Sequence, residues 1–302
     1  MVVEMKPYYE THSGKAFLGD SLAVMPGLKA DSVDLVVTSP PFGLTFKKEY
    51  GNPDSDRYVE WFLPYAQEMK RVTKPTGSIV IDIGGAWKKG SPARSIYQFK
   101  LLIALCEEVK LHLAQEFYWF RPATLPAPAE WVAVRRIRVK DSINCIWWLS
   151  KTEWPKADNR NVLQPYSDDM VRLLKKGYKS KVRPSGHFVT GKFMRDHGGA
   201  IPPNLLQVGS NESNSQYLKA CHNAGVKPHP ARFPREIPEF FIRLTTDEND
   251  LVLDPFAGSN VTGEAAELNR RRWIAIEIRR DYLDGSKFRF EEPELFRAGA
   301  GD

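Results

Sequence analysis

The sequence predicts an α/β fold in which a mostly parallel sheet is covered by helices on both faces and carries a smaller, irregular region. Three observations predict it. Short apolar runs alternate with segments of helical period over residues 16–149 and again over 238–277. The stretch Leu253-Asp-Pro-Phe-Ala-Gly-Ser-Asn-Val-Thr262 reads as strand, small-residue turn and helix, and Glu277 stands at the end of the strand that follows. Charge, finally, is divided unevenly: residues 121–235 hold 20 Lys+Arg and 8 Asp+Glu, a net +12, whereas the rest of the 302-residue chain is net −6.

The elements follow in order. Ala16–Gly19 is a short apolar run, and Asp20-Ser21 starts a helix over Leu22–Leu28. Val33–Thr38 is a strand, ended by Ser39-Pro40-Pro41 because two prolines cannot donate to a ladder. Tyr58–Val72 places apolar or aromatic residues at 58, 59, 61, 62, 65, 66, 69 and 72, a helical period. Ser78–Ile83 is the next strand, Leu101–Val109 an amphipathic helix, and Phe117–Phe120 and Ile143–Leu149 are two further strands. Residues 155–235, rich in Pro, Gly, Asn and Ser, read as loops on a small scaffold. Pro238–Thr245 is helical with proline in its first turn. Leu251–Asp254 and Trp273–Glu277 are strands around a helix at Thr262–Leu268. There is no internal repeat.

Composition excludes several classes. With 42% hydrophobic and 26% charged residues the chain is not disordered, collagenous or a coiled coil. Three cysteines cannot build a disulfide framework and fit a reducing compartment. No apolar run approaches 18 residues and the first residues lack an apolar core, so a soluble intracellular protein is expected.

Two motifs carry chemistry. In the turn after Leu253-Asp254, Gly258 permits a close backbone approach that a Cβ blocks. Asn260 stands where a third small residue is common, and Asn tolerates the left-handed region. Glu277 is placed to accept from two ribose hydroxyls. By themselves these residues also fit a tight βα turn beside a surface Glu; the register of Glu277 favours a bound nucleoside. In Thr38-Ser-Pro-Pro-Phe42, tandem prolines free their carbonyls, so oxygens of Ser39 and Pro40 can accept hydrogen bonds while Phe42 offers a flat face. Acceptors beside an aromatic plate suit a planar ring with an exocyclic amine, although Ser39-Pro40-Pro41 can equally be a structural turn.

Together these residues resemble the amino-methylating, S-adenosylmethionine-dependent DNA methyltransferases of the permuted (beta) order. In that order Ser-Pro-Pro-Phe precedes the target-recognition region and Asp-Pro-Phe-x-Gly lies near the C-terminus. Gly19-Asp20 and His229-Pro-Ala-Arg-Phe-Pro234 extend the resemblance, which covers nearly the whole chain. Asn260 departs from it, standing where the family usually has its second glycine.

The resemblance implies a Rossmann-like methyltransferase fold, mostly parallel with an antiparallel hairpin at one edge, plus a smaller irregular target-recognition domain. Residues 1–150 form the catalytic part, 151–228 the target-recognition region, and 229–302 the cofactor-binding part. Asp20, Phe233, Asp254, Phe256, Gly258, Asn260 and Glu277 are the implied S-adenosylmethionine site. Asp20 accepts from the adenine amino group, Glu277 takes the ribose hydroxyls, and Phe256, Gly258 and Asn260 line the methionyl part, with Asp254 holding the loop. Ser39, Pro40, Pro41 and Phe42 are the implied catalytic set. The implied partner is double-stranded DNA, with no metal and no membrane, in the cytoplasm of a prokaryote. A cognate restriction endonuclease, not stably bound, completes the pair.

Within the family, Ser before Pro-Pro resembles the enzymes that methylate cytosine N4, whereas Asp is typical of adenine N6. Cytosine N4 is therefore the expected target; adenine N6 and a catalytically silent DNA-binding protein are the rivals. Carbon-5 cytosine methylation is excluded, because none of Cys106, Cys145 and Cys221 follows a proline as that chemistry's nucleophile does. For DNA contact the basic region offers Arg135, Arg136, Lys175, Lys176, Lys179 and Arg183 for phosphates, and His187 and Lys192 for bases. Lys47 and Lys48 follow the catalytic motif and are placed to clamp the flipped strand. Each charge run taken alone also fits a solvated face.

Overall fold

The computed structural model describes residues 6–44, 48, 51–177, 181–182, 188–189, 195–209 and 215–290. In chain order the elements are β1 (Tyr9–Glu10), β2 (Gly14–Leu18), α1 (Ser21–Val24), β3 (Val33–Thr38), α2 (Tyr58–Val72), β4 (Thr73–Gly84), α3 (Tyr97–Glu107), β5 (His112–Phe120) and β6 (Ile143–Ser150). They continue as α4 (Asp168–Lys176), β7 (Lys181–Val182), β8 (Phe188–Val189), β9 (Leu205–Gln207), α5 (Gln216–Asn223), α6 (Glu236–Thr245), β10 (Leu251–Asp254), α7 (Val261–Leu268), β11 (Arg272–Glu277) and α8 (Arg280–Ser286).

Among the described residues, nine strands form one sheet in the order β1-β2-β11-β10-β3-β4-β6-β5-β9. The five central strands β2, β11, β10, β3 and β4 run parallel. β6 turns antiparallel against β4 and forms a hairpin with β5, as the resemblance implies. β9 lies outside that hairpin, parallel to β5. β3 is buried along its whole length, as a strand covered on both faces must be; Leu35–Val37 give its apolar run, and the buried Asp34 is paired with Lys74 at 2.7 Å. The core packs α2 and α3 on one side of the sheet through Tyr58, Phe62, Met69, Tyr97 and Leu101.

Local departures from expectation have local causes. The expected helix over 22–28 is α-helical only to Val24; Pro26 then forces a 3₁₀ turn over Met25–Gly27. β4 begins at Thr73 and runs through Pro75 and Gly77, longer than the apolar run suggests. Residues 155–235, expected as loops, contain α4 and α5, each started by a serine cap: Ser167 accepts from Met170 N and Ser215 from Leu218 N.

The chain divides into two compact units, residues 1–157 with 204–302, and Asp158–Pro203. The smaller unit contains α4, the β7–β8 hairpin and a bridge between Gln164 and Ala200. Its bounds fall inside the 151–228 segment. Residues 205–207 pair with β5 of the larger unit, and α5 packs there against α8. No helix among the described residues is long and apolar enough to cross a membrane.

Candidate active site

The sheet order reverses between β10 and β3: one chain direction leads from β3 to β4, the other from β10 to β11. Open α/β sheets bind ligands at the strand carboxyl ends beside such a switch point. A cavity of about 610 Å³ opens there, walled by the residues that follow β2, β3, β10 and β11. Two motifs 216 residues apart meet beneath it, because Thr38 Oγ1 donates to Asp254 Oδ1 at 2.7 Å.

The β10–α7 turn forms one side. Gly258 adopts φ +52, and a Cβ there would lie 3.1 Å from His229 Nε2, so both conformation and space favour glycine. Glu277, 9% exposed, accepts from Gly258 N at 2.8 Å and from Arg279 N at 2.9 Å. A carboxylate offers about four acceptor sites, so the backbone donors of Gly258, Ile278 and Arg279 do not exhaust it. Burial pushes the Glu277 carboxyl up, against the pull of its backbone donors. Asp20 caps α1, its Oδ1 accepting from Leu22 N at 2.9 Å and from Tyr65 Oη at 3.4 Å. Phe256, Phe233 and His229 complete this side. Burial holds the His229 imidazole down to about 4, hence neutral, with its ring 4.3 Å from that of Tyr282.

Asp254 and Asn260, expected among the cofactor contacts, lie outside the cavity wall. Asp254 is a buried clamp, accepting from Thr38, from Thr262 Oγ1 at 2.7 Å and from Phe256 N at 3.0 Å. Burial pushes it up to about 6. Asn260 is the N-cap of α7 in the left-handed region, φ +57; its Oδ1 accepts from Gly263 N and its Nδ2 donates to Tyr9 Oη at 3.0 Å.

The β3–β4 side carries the second motif. Ser39, Pro40, Pro41 and Phe42 all line the cavity, and Phe42 lies so close over β4 that a Cβ on Gly84 would come within 2.5 Å of its ring. Ser39 Oγ donates to Asp82 Oδ2 at 3.0 Å, and Asn144 Nδ2 donates to Asp82 Oδ1 at 3.1 Å. Asp82 is 3% exposed; burial raises its carboxyl to about 6, with the Ser39 and Asn144 bonds pulling it back. A hydroxyl that donates to a carboxylate keeps its lone pairs open to a guest's N–H. Cys145, next to Asn144, is pushed by burial up to about 11, so it is a neutral thiol and no nucleophile.

Sequence reasoning missed Asp82, Asn144, Trp61 and Tyr65. The first had a signal: it is the one carboxylate in the apolar strand Ser78–Ile83. Trp61 and Tyr65 fit the helical period of α2 and read simply as core, yet they wall the cavity, with ring centroids 5.8 and 5.0 Å from Phe256.

Of the basic residues, Lys48 lines the cavity. Arg135 and Arg136 lie in the long β5–β6 connection, Arg135 paired with Glu130 at 2.6 Å and stacked on Trp131. Lys175 and Lys176 are exposed in the last turn of α4. Lys47, Lys179, Arg183, His187 and Lys192 lie outside the described residues. Among the described residues no group of three His, Cys, Asp or Glu is set to hold a metal ion.

A mostly parallel sheet whose switch-point cavity joins the buried Glu277 carboxylate on one side to the Ser39 and Asp82 oxygens on the other has the architecture of a Rossmann-like group-transfer enzyme. Sequence comparison makes the class specific: the N6_N4_Mtase model, described as DNA methylase, matches residues 33–288. The chain belongs to this DNA methylase family. It is 53% identical over 288 residues to the type II methyltransferase M.PvuII of Proteus hauseri, across 94% of this chain and 86% of that one. To the type II methyltransferase M.BglII of Bacillus subtilis it is 26% identical, across 90% of this chain and 68% of the relative. The solved PvuII DNA methyltransferase (cytosine-N4-specific) superposes with a TM-score of 0.79 at 46% identity, covering 96% of this chain and 91% of that one. The M1.HpyAVI–SAM complex, 19% identical with a TM-score of 0.52, covers 92% of this chain and 100% of its own, and shares the fold.

Proposed function

We propose that this protein transfers a methyl group from S-adenosyl-L-methionine to the N4 amine of a cytosine flipped out of a short duplex DNA site. The observation that carries the reading is the Ser39–Asp82 hydrogen bond, which opens onto the same cavity as the Gly258–Glu277 loop. Two facts support cytosine N4 in particular: Ser39 precedes Pro40-Pro41, and the similar PvuII enzyme is described as cytosine-N4-specific. Host protection within a restriction–modification pair is the matching role, with a cognate endonuclease acting on the unmethylated site.

The residues present fit the cofactor. Glu277 keeps acceptor capacity for a ribose hydroxyl, and Asp20 supplies a carboxylate oxygen for an adenine amino group. Trp61, Tyr65 and Phe256 give an apolar wall, and Phe233, in the same cavity, would cover the methionyl end. When bound, S-adenosyl-L-methionine supplies a methyl group on a cationic sulfur, already activated for transfer.

The protein's own work is alignment and proton removal. Flipping the base costs roughly a few kcal/mol, and stacking on Phe42 offsets about 1–3 kcal/mol of it. Oxygens of Ser39 and Pro40 accept the amine N–H bonds, so that the nitrogen lone pair turns away from the ring. The alkylated amine carries one proton too many. That proton passes to Ser39 Oγ as the serine's own proton passes to Asp82, whose position near 6 lets it hold the proton and then release it to water. Arg135, Arg136, Lys175 and Lys176 neutralise DNA phosphates, joined by Lys47, Lys48, Lys179 and Arg183, while His187 and Lys192 reach base edges.

Nucleoside mass analysis of DNA incubated with the enzyme and S-adenosyl-L-methionine tests the reading. N4-methylcytosine is the expected product; N6-methyladenine, or no modified nucleoside, overturns it.

A further inference from the structure

The cavity wall holds a cation that the chemistry above leaves unused. Arg121 follows the last residue of β5, where the strand delivers it to the cavity beside Trp119 and Asn144. Its backbone is pinned by a hydrogen bond from Arg121 N to Ser142 O at 2.8 Å, across the base of the β5–β6 hairpin. Its guanidinium lies over the Trp119 indole, with Cζ 5.5 Å from the ring centroid. Trp119 is itself buried and fixed by donation from Nε1 to Val208 O at 2.9 Å, so the platform is rigid. The guanidinium is near enough to Asp82 to favour its ionised form.

The guanidinium is not fully satisfied among the described residues. Its Nε is buried without a hydrogen-bond partner among the described residues. A desolvated donor left unmade is costly, and an arginine has five N–H donors in a fixed fork and nothing that accepts. Such a group in the wall of a substrate cavity calls for a guest that brings acceptors.

The edge of cytosine supplies them. Beside its N4 amine come N3 and then the O2 carbonyl, two acceptors in a row. Adenine offers N1 beside its N6 amine and then a C–H, which accepts nothing. The same cavity is lined by both kinds of complementary group, the oxygens of Ser39 and Pro40 for the amine and the donor fork of Arg121 for the acceptors.

The geometry points to Arg121 as the residue that reads the target base, its guanidinium donating to N3 and O2 of the flipped cytosine and finding no second acceptor on adenine. This rests on the cytosine-N4 reading and adds to it the group that enforces the choice.

The test begins by mapping the modified position in DNA methylated by the wild-type enzyme. Two duplexes are then compared, with cytosine or adenine at that position. Discrimination is read from kcat/KM, and from the Kd of each duplex where adenine turnover is too slow to measure. Arg121→Ala is expected to lower the cytosine value by about 10–100-fold, the worth of a good bidentate base contact, and to leave the adenine value nearly unchanged. Arg121→Met keeps a long side chain over Trp119 and should show the same loss of discrimination even if the alanine protein folds poorly. An equal loss on both bases means that Arg121 only packs on Trp119 and overturns the inference while the cytosine-N4 reading stands. A wild-type enzyme that marks adenine overturns both.

Discussion

Asp82 is buried at the end of β4, yet it must be ionised to accept from Ser39 and draw a proton away. Its carboxyl lies near 6 in the folded protein against an ordinary value of 3.8, with burial as the main cause. The unfolded chain therefore ionises first as pH rises. The folded state loses relative stability between about pH 4 and 6, by roughly 3 kcal/mol at about 1.4 kcal/mol per pH unit. Catalysis runs the other way, because below about pH 6 the protonated carboxyl no longer takes the serine proton. Asp82→Asn should lower kcat by about 10²–10⁴-fold, the usual worth of a positioned base. The same variant should be up to roughly 3 kcal/mol more stable than wild type at pH 8, with the difference vanishing near pH 4. Single-turnover rates and urea melts at several pH values measure both. A wild-type rate that does not fall below pH 6 removes Asp82 from the proton path.

At the scale of elements, α7 depends on a single unusual cap. Asn260 combines a left-handed backbone, a cap to Gly263 N and a bond to Tyr9 Oη that ties α7 to β1. Asn260→Ala loses the cap, leaves Gly263 N unmet, removes one of the two bonds of Tyr9 Oη and strains the backbone, so a loss of about 2–4 kcal/mol is expected. Asn260→Gly keeps the conformation and should lose markedly less; the reverse order in thermal melts contradicts the capping account. The sequence showed the turn and the tolerance of Asn for this geometry, but not that the side chain faces the helix rather than the cavity. Elements with strong periods, such as α2 and β3, were legible because burial is written in their spacing. β9 was not, since three residues carry no period, and its place beside β5 is set by pairing between residues 87 apart in the chain. Asp82 was legible only as an oddity in an apolar strand. Its meaning came from Ser39 and Asn144, which the fold brings to it from neighbouring strands.

For the molecule as a whole, the modest net charge of +6 is a difference between a net +12 over residues 121–235 and a net −6 elsewhere. Only the basic part speaks to a polyanionic partner, and it includes the smaller unit Asp158–Pro203. There the last turn of α4 exposes Lys175 and Lys176, while the acidic residues of that helix, Asp168 and Asp169, sit in its first turn. This sorting favours the helix dipole, and it is also what a phosphate-facing helix end needs, so helix stability alone explains the pattern equally well. Salt dependence separates the two explanations. Each phosphate neutralised contributes about 0.9 to the slope of log K against log salt for duplex DNA. Replacing both lysines with Gln should therefore lower the magnitude of that slope by about 2 and weaken binding to specific and non-specific duplexes by similar factors. Affinity titrations from low to moderate salt read both quantities. An unchanged slope leaves Lys175 and Lys176 as dipole partners of α4 and moves the phosphate contacts to the other basic residues of 121–235.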